Sequence, residues 1–172
     1  VELVPAGEVL DLGRRQAELA VRFFRSKQVS LVVRRAGDVG YGLYASHEYL
    51  ARRPLRSPGE LSEHRVLSSI PGPKELETVW LKKLNPLVQP AFASTLSLAL
   101  LAAARASAGV AVLPRYLGDA EPGLRHLPMP DEPSEPIWLT VNRDLRHTPR
   151  IRALLDFLVA AMAGEAALLR GA

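Results

Sequence analysis

The sequence predicts an α/β fold, and the stretch from Ala93 to Leu117 carries most of that prediction. Leu96 to Ala106 are apolar or small almost throughout, which is typical of a helix buried on most of its faces. We expect Gly109 to end this helix in the left-handed conformation. Val110 to Leu113 then form a short run of strand-forming residues. A buried helix that turns at a glycine into a buried strand is typical of α/β proteins.

The composition describes an ordinary globular chain of 172 residues, 48% of them hydrophobic and 23% charged. This length suffices for one good core or two small lobes. The chain contains no cysteine, which excludes disulfides and thiolate metal sites, and no histidine spacing or glycine-rich loop predicts a metal or a cofactor. The net charge of +4 is too small and dispersed to predict nucleic-acid binding by this segment itself. Its apolar runs are too short to cross a membrane, so we expect no membrane contact.

The first forty-five residues predict strands separated by one short helix. Val1 to Val4 are expected to form a strand, and Glu8 to Ala17 a helix with Val9, Leu10 and Leu12 in the core. Further along we predict a buried strand over Leu19 to Val21, a strand over Leu31 to Val33, a turn over Arg34 to Asp38 and a strand over Val39 to Ala45. The last of these carries Gly40 and Gly42 on one side, which permits close backbone approach, and it is a candidate crossing between two lobes.

The middle of the chain predicts short helices and strands with recognisable start signals. Ser46 is expected to cap a helix from His47 to Arg53. Ser57 and Glu60 are spaced as a capping box. Three more elements are predicted before the central stretch: a strand over Val66 to Ile70, an amphipathic helix or turn over Lys74 to Leu84, and at best a short edge strand over Leu87 to Val88.

The last third predicts two strands and a long amphipathic helix. Leu124 to Leu127 and Ile137 to Asn142 are the strands, and the proline-rich segment between them is expected to be a stiff surface connection whose acidic residues are solvated. Thr148 is expected to cap the helix and Pro149 to open it, with apolar residues at helical spacing from Ile151 onward.

Two positions are candidates for binding an anion. Ser94, Thr95 and the first backbone amides of the central helix predict an anion site, although plain helix capping explains the same residues. Arg22 follows a predicted strand, where an open α/β sheet places its ligand, and a guanidinium suits a carboxylate. A surface arginine at a strand end explains Arg22 equally well.

With these residues in hand, the chain resembles the effector-binding domain of LysR-type transcriptional regulators. Three stretches carry the resemblance: VELVPAGEVLDLGRRQAELAVRF, GYGLYASHEYLARRPLRSPGELSEHRVL, and STLSLALLAAARASAGVAVLPRYL followed by IWLTVNRDLRHTPRIRALLDFL. Their order and spacing resemble those of the family along nearly the whole chain. Where the family usually has a Gly-Leu-Gly-like turn, this chain has Ser107, Ala108 and Gly109.

The resemblance implies a two-lobed fold like that of type II periplasmic binding proteins, with an effector cleft between the lobes. Lobe I would comprise residues 1–42 and 141–172, and lobe II residues 43–140, with hinges near Tyr41 to Ser46 and Leu139 to Arg143. By position, the resemblance places nine residues at the effector site: Arg22, Phe23, Phe24, Ser46, Ser94, Thr95, Leu96, Leu113 and Pro114. It also makes the anion site a better explanation than capping, whereas core packing remains an alternative for the two phenylalanines.

The function implied is that of a cytoplasmic sensor rather than an enzyme. A small metabolite, often a carboxylate, would bind between the lobes of a homodimer or homotetramer and change the grip of a helix-turn-helix domain on promoter DNA. That DNA-binding domain, its linker helix and the first strand and helix of the family's effector domain are absent from this sequence. Two other functions remain open: a solute-binding protein of a transporter, and a small enzyme that would have to use Ser46, Ser94 and His47.

Overall fold

The computed structural model describes residues 1–5, 9–72 and 75–171. Its strands are β1 Leu19–Arg22, β2 Leu31–Ser46, β3 Val66–Ser68, β4 Pro90–Ala93, β5 Val110–Pro114, β6 Leu124–Leu127 and β7 Ser134–Asn142. Its α-helices are α1 His47–Arg52, α2 Leu76–Leu84, α3 Ser97–Arg105, α4 Arg115–Gly118, α5 Pro149–Gly164 and α6 Ala166–Arg170. Two short 3₁₀ helices, Pro58–Glu63 and Arg143–Leu145, complete the described elements.

The chain forms two compact units. Unit 1 comprises Val1–Asp38 and Pro136–Ala166, and unit 2 comprises Val39–Glu135 and Ala167–Ala172. The long strands β2 and β7 each contribute residues to both units, and the chain passes from unit 1 to unit 2 once more after Ala166. The lobe boundaries implied by the family resemblance, residues 1–42 with 141–172 and residues 43–140, remain a prediction.

Unit 1 is built on the antiparallel pairing of β1 with β7, in a register that places Leu19 opposite Val141 and Arg22 opposite Trp138. Alternate residues of β7 point into its core, so that Ile137, Leu139 and Val141 are buried. Ile151 of α5 is buried as well.

Unit 2 holds a mixed sheet in the order β6-β2-β5-β3-β4. Its β3 runs parallel to β4 and to β5, whereas β2 runs antiparallel to β5 and to β6. All five residues of β5 are buried, because this strand has a sheet partner on each side and side chains packed on both faces. Parallel strands need a covering helix as their crossover, and α3 fills that role between β4 and β5.

The core of unit 2 on the α3 side consists of Tyr44, Leu67, Leu100, Ala104, Ala111, Leu113 and Leu124. The apolar composition of α3 predicted a helix buried on most faces. This is wrong, because Leu98 is 67% exposed and only Leu100 and Ala104 of this helix are buried. An α3 with one buried stripe belongs to the outer layer of a layered α/β unit, not to its centre.

The turn after α3 differs from its prediction in an instructive way. The left-handed residue is Ser107, with φ of 58°, and not Gly109. Gly109 is needed for a different reason: a Cβ there would overlap the backbone carbonyl of Arg65. The amide of Val110 donates to that same carbonyl at 2.9 Å, so the close approach is part of the start of β5.

Several predicted elements at the start of the chain are wrong. Val1–Val4 is not a strand, and the described part of the predicted helix, from Val9 to Ala17, is not helical and contains a turn at residues 12–15. The side chain of Asp11 accepts hydrogen bonds from the amides of Gly13 and Arg14, which competes with helix formation. Glu8, the first residue of the predicted helix, lies outside the described residues.

The predicted core contacts of this region and the strand after it are only partly right. Leu12 is buried, as predicted, whereas Val9 is 66% exposed. The strand expected over Leu19–Val21 exists but is half-buried rather than buried.

Other corrections concern strand lengths and caps. The turn expected over Arg34–Asp38 is part of a continuous sixteen-residue β2, and the edge strand expected at Leu87–Val88 lies instead at β4. No capping box forms at Ser57, because Glu60 accepts from the amide of Arg56. Ser46 does cap α1, accepting from the amide of Tyr49 at 3.1 Å.

The helices described here include none long and apolar enough to span a membrane.

We predict that Leu67→Ala, which empties a fully buried position of the unit 2 core, lowers the free energy of unfolding by about 2–5 kcal/mol. Leu98→Ala is the matched control, since it removes the same atoms from an exposed position and should change the free energy by less than about 0.5 kcal/mol. Urea denaturation followed by circular dichroism measures both. Equal effects of the two substitutions would contradict the description of this core.

Candidate functional site

The carboxyl ends of three parallel strands meet at one edge of unit 2. Ser68, Ala93 and Pro114 end β3, β4 and β5, and the antiparallel register of β2 places Tyr41 opposite Pro114. Open α/β sheets bind their ligands outside this edge. We call it the carboxyl edge of unit 2.

The N-terminus of α3 lies beside this edge. The amide of Ser94 donates to the carbonyl of Ser68 at 3.2 Å, which fixes the entry to α3 next to the end of β3. The hydroxyl of Ser94 accepts from the amide of Leu96 at 3.1 Å and therefore stabilises the turn before the helix. Leu96 is the N-cap of α3, and no side chain makes a capping hydrogen bond there. Thr95 and Leu96 are exposed, so the polar start of this helix is open to a ligand.

Two predicted site residues end β5 within unit 2. Leu113 and Pro114 are both buried, with Leu113 paired to Gly42 and Pro114 to Tyr41. Their positions bring them to the same sheet edge as Ser94 and Thr95. Leu113 belongs to the core cluster, so its side chain shapes the floor of the edge rather than its surface.

Ser46 lies at the other end of α3. Its hydroxyl is 2.8 Å from that of Ser107, which follows the C-terminus of α3, and it also caps α1. Its strand partner is Leu124 of β6. The structure therefore does not bring Ser46 together with Ser94 and Thr95.

The remaining predicted residues belong to unit 1 and follow β1. The Nη2 of Arg22 donates to the carbonyl of Leu10 at 2.6 Å, and its guanidinium carbon lies 5.3 Å from the ring centroid of Phe24. Phe23 and Phe24 are 47% and 46% exposed, so core packing does not explain them. These three residues form a cationic and aromatic group at the end of β1.

Sequence reasoning missed a pair of polar residues at the carboxyl edge. The hydroxyl of Tyr41 donates a hydrogen bond to the carboxylate of Glu135, which links β2 to the first residues of β7. Burial raises the pKa of Glu135; the hydrogen bond from Tyr41 opposes this shift, and the nearby carboxylates of Glu77 and Glu75 add to it. Burial and the same hydrogen bond raise the pKa of the Tyr41 hydroxyl. Glu135 was expected to be a solvated acid of a surface segment, and no signal in the sequence marks it otherwise.

Ser68 is another residue that sequence reasoning passed over. It is 1% exposed, and its hydroxyl is one of two buried side-chain groups without a hydrogen-bond partner among the described residues; the other is that of Thr140. The next residue, Ser69, donates to Glu77 at 3.0 Å. A buried hydroxyl without a hydrogen-bond partner costs stability. Because Ser68 ends β3, this hydroxyl is one more polar group at the carboxyl edge of unit 2.

An α/β unit with parallel strands whose carboxyl ends carry exposed polar groups has the features typical of a ligand-binding domain. Comparison with known proteins gives the family. The model of the LysR substrate binding domain matches residues 1–163, and the chain belongs to that family.

Solved structures show the same fold. The regulatory domain of CrgA, a LysR-type transcriptional regulator from Neisseria meningitidis, is 24% identical with a TM-score of 0.74, covering 91% of this chain and 80% of that one. The effector domain of the transcriptional regulator AmpR of Pseudomonas aeruginosa is 24% identical with a TM-score of 0.73, covering 92% and 78%. The structure of CrgA itself is 26% identical with a TM-score of 0.76, covering 88% of this chain and 54% of that chain. Among the curated protein sequences, none matches this chain.

The family match confirms the predicted fold class, an α/β effector domain of the type II periplasmic-binding-protein kind, and the predicted class of function, the effector-sensing domain of a LysR-type transcriptional regulator. It does not favour a transporter's solute-binding protein.

We predict that the contribution of Glu135 to the stability of the protein falls as the pH rises from about 4 toward neutrality. Because the folded-state pKa of this acid is raised, the folded chain keeps its proton where the unfolded chain has lost it, and deprotonation then favours unfolding. Glu135→Gln should flatten this part of the profile. Tyr41→Phe should steepen it, because the buried carboxylate loses its donor. Denaturant unfolding across this pH range checks both, and three parallel profiles would contradict the assignment.

Proposed function

We propose that the chain binds a small carboxylate-bearing metabolite at the carboxyl edge of unit 2, with the N-terminus of α3 holding the anionic group. The observation that carries this is the absence of a side-chain cap on α3, at an edge where the preceding turn is already fixed by Ser94. Capping by Ser94 or Thr95 was the competing explanation. Since Leu96 occupies the N-cap, that explanation loses its support.

The chemistry of the start of α3 suits a carboxylate. The first amides of a helix point toward its N-terminus and the helix dipole adds partial positive charge there. The hydroxyl of Ser94 accepts one hydrogen bond and still has its own hydrogen to donate, and the exposed hydroxyl of Thr95 offers another donor. Hydrogen bonds to an ionised acceptor are shorter and stronger than neutral ones.

We propose that Arg22, Phe23 and Phe24 of unit 1, which the family resemblance also places among the effector-binding residues, form a second group suited to a carboxylate-bearing ligand. Two half-exposed rings beside a guanidinium are suited to an aromatic or branched carboxylate, because the rings bury the apolar part and the cation pairs with the charge. Leu96 supplies an apolar contact in unit 2, and the buried Leu113 and Pro114 shape the floor of the edge. Ser46, whose hydroxyl is engaged with Ser107, is the predicted residue with least support for direct contact.

For the whole regulator, we propose a cytoplasmic homodimer or homotetramer that passes effector binding to promoter DNA through an N-terminal domain. Family membership supports this proposal. Light scattering on purified protein measures the assembly.

We propose no catalytic activity for the chain. The three residues from which an active site would have to be built do not come together: Ser46 and Ser94 lie at opposite ends of α3, and His47 is exposed. A nucleophile needs a base within hydrogen-bond reach, and the described positions of these residues do not provide one.

We predict that phenylacetate at millimolar concentration raises the melting temperature of the protein and that phenylacetamide, its uncharged counterpart, does not. At a concentration one hundred times the dissociation constant, the stabilisation should reach about 2.7 kcal/mol. Isovalerate and isovaleramide form a second, branched pair. Thermal unfolding across a concentration series measures these effects, and the proposal fails if carboxylates and amides behave alike.

We predict further that Thr95→Val weakens binding of the carboxylate about tenfold, because a donor to an ionised group is lost. Thr148→Val is the matched control: Thr148 is the N-cap of α5, and its side chain makes no capping hydrogen bond either. Isothermal calorimetry measures both affinities. Equal weakening by the two substitutions would show that the effect is not specific to the start of α3.

A further inference from the structure

The C-terminal residues return to unit 2 after α5 has completed unit 1. The division between the units falls between Ala166 and Ala167, so that α6 bridges it along the chain. Gly171 ends α6 in the left-handed conformation, with φ of 75°, and its amide donates to the carbonyl of Ala167 at 2.8 Å. This ending leaves the carbonyl of Gly171 within hydrogen-bond reach of Arg115.

Arg115 of α4 forms a hydrogen bond with that carbonyl. Its Nη2 donates to the oxygen of Gly171 at 3.0 Å. The Arg115 side chain is only 15% exposed and is fixed by three further partners: Asp119 at 3.1 Å, Glu132 at 3.0 Å and His126 at 2.8 Å. A guanidinium already held in one orientation loses little further entropy when it binds a carbonyl.

The glycine side of β2 makes room for this contact. A Cβ on Gly40 would lie 2.5 Å from the carbonyl oxygen of Arg170, and one on Gly42 would lie 2.8 Å from Nε2 of His126. Gly171 is equally restricted, because a Cβ there would overlap the guanidinium of Arg115. Because Gly40 has no side chain, the backbone of Arg170 can lie directly against β2.

We propose that the segment from Ala167 to Gly171 is a strap that fastens the end of α5 to unit 2 and limits the movement of one unit relative to the other. The chain links the two units through β2, β7 and this third connection. Two strand crossings alone permit hinge motion, whereas a third link held by a charge-assisted hydrogen bond restricts it. The strap acts whether or not the effector is a carboxylate.

The absence of cysteine makes a direct test possible. Ala160→Cys on α5 and Lys83→Cys on α2 introduce two exposed labelling sites, one in each unit, for spin labels. Double electron–electron resonance then gives the distribution of distances between the units. We expect a narrow distribution for the otherwise unchanged chain and a clearly broader one when the chain ends after Ala166.

Gly40→Ala keeps the full chain and tests the position on β2 against which the strap lies. It should broaden the distance distribution and lower the protection of the Gly171 amide against hydrogen exchange on the order of tenfold. Gly37→Ala is the matched control on the same strand, because a Cβ there would meet its nearest neighbour, Ile137, at 4.0 Å. It should leave both quantities unchanged.

Circular dichroism shows whether the shortened chain folds. If it does not fold, the Gly40→Ala and Gly37→Ala variants decide whether the strap limits the movement of the units. Unchanged distributions for both the shortened chain and Gly40→Ala would overturn the strap. Equal broadening by Gly37→Ala and Gly40→Ala would overturn it as well, because the effect would then belong to β2 in general.

Discussion

The burial of β5 between β2 and β3 is the constraint on which unit 2 depends. Each of its five residues is buried, so that its register with both neighbours is fixed by packing as well as by hydrogen bonds. The register with β2 places Pro114 beside Tyr41, and the parallel pairing with β3 brings Ser68 toward the same edge. The polar edge of this unit therefore follows from the position of one apolar strand.

That edge carries two kinds of polar group with opposite electrostatic preferences. The start of α3 is a region of partial positive charge without a side-chain cap, whereas Glu135 is a half-buried carboxylate whose pKa is raised by burial and by neighbouring acids. A carboxylate bound as proposed would be attracted by the first group and repelled by the second. Under that proposal the edge favours a ligand whose charge is at one end, since a uniformly anionic molecule would have to approach Glu135 as well.

Much of unit 2 could be predicted from sequence because its elements have strong local signals. The cap at Ser46, the start of β5 after a glycine and the strand Leu124–Leu127 all depend on neighbouring residues and were found. The start of the chain was predicted poorly because an apolar spacing suggested a helix that the side chain of Asp11 prevents. The burial of α3 was overestimated because composition does not tell how many faces of a helix are covered.

The residues of the candidate site show the same difference between positions marked by their neighbours in sequence and positions set by distant contacts. Residues that follow strands or precede helices, such as Arg22 and Thr95, could be named as candidates because the fold class indicates where such positions lie, and their role in binding stays a prediction. Tyr41 and Glu135 could not be paired, since they are separated by most of the chain and meet only through the course of β2 and β7. Ser46 was placed with the cleft because a crossing strand was expected there, yet the register carries it to the opposite end of the sheet.

The glycines of β2 show how one sequence feature acquires its meaning only from contacts distant in the chain. Their spacing indicated close backbone approach but not what approaches. In the structure, the backbone carbonyl of Arg170 lies against Gly40 and the ring of His126 lies against Gly42. Arg115 forms hydrogen bonds with His126 and with the carbonyl of Gly171. A side chain at either glycine would displace part of the arrangement that orients Arg115, and hence the carbonyl that it holds. Gly40 and Gly42 are thus required by the contacts of β2 with the backbone of α6 and with His126, and the Arg115 side chain beside them binds the carbonyl of Gly171.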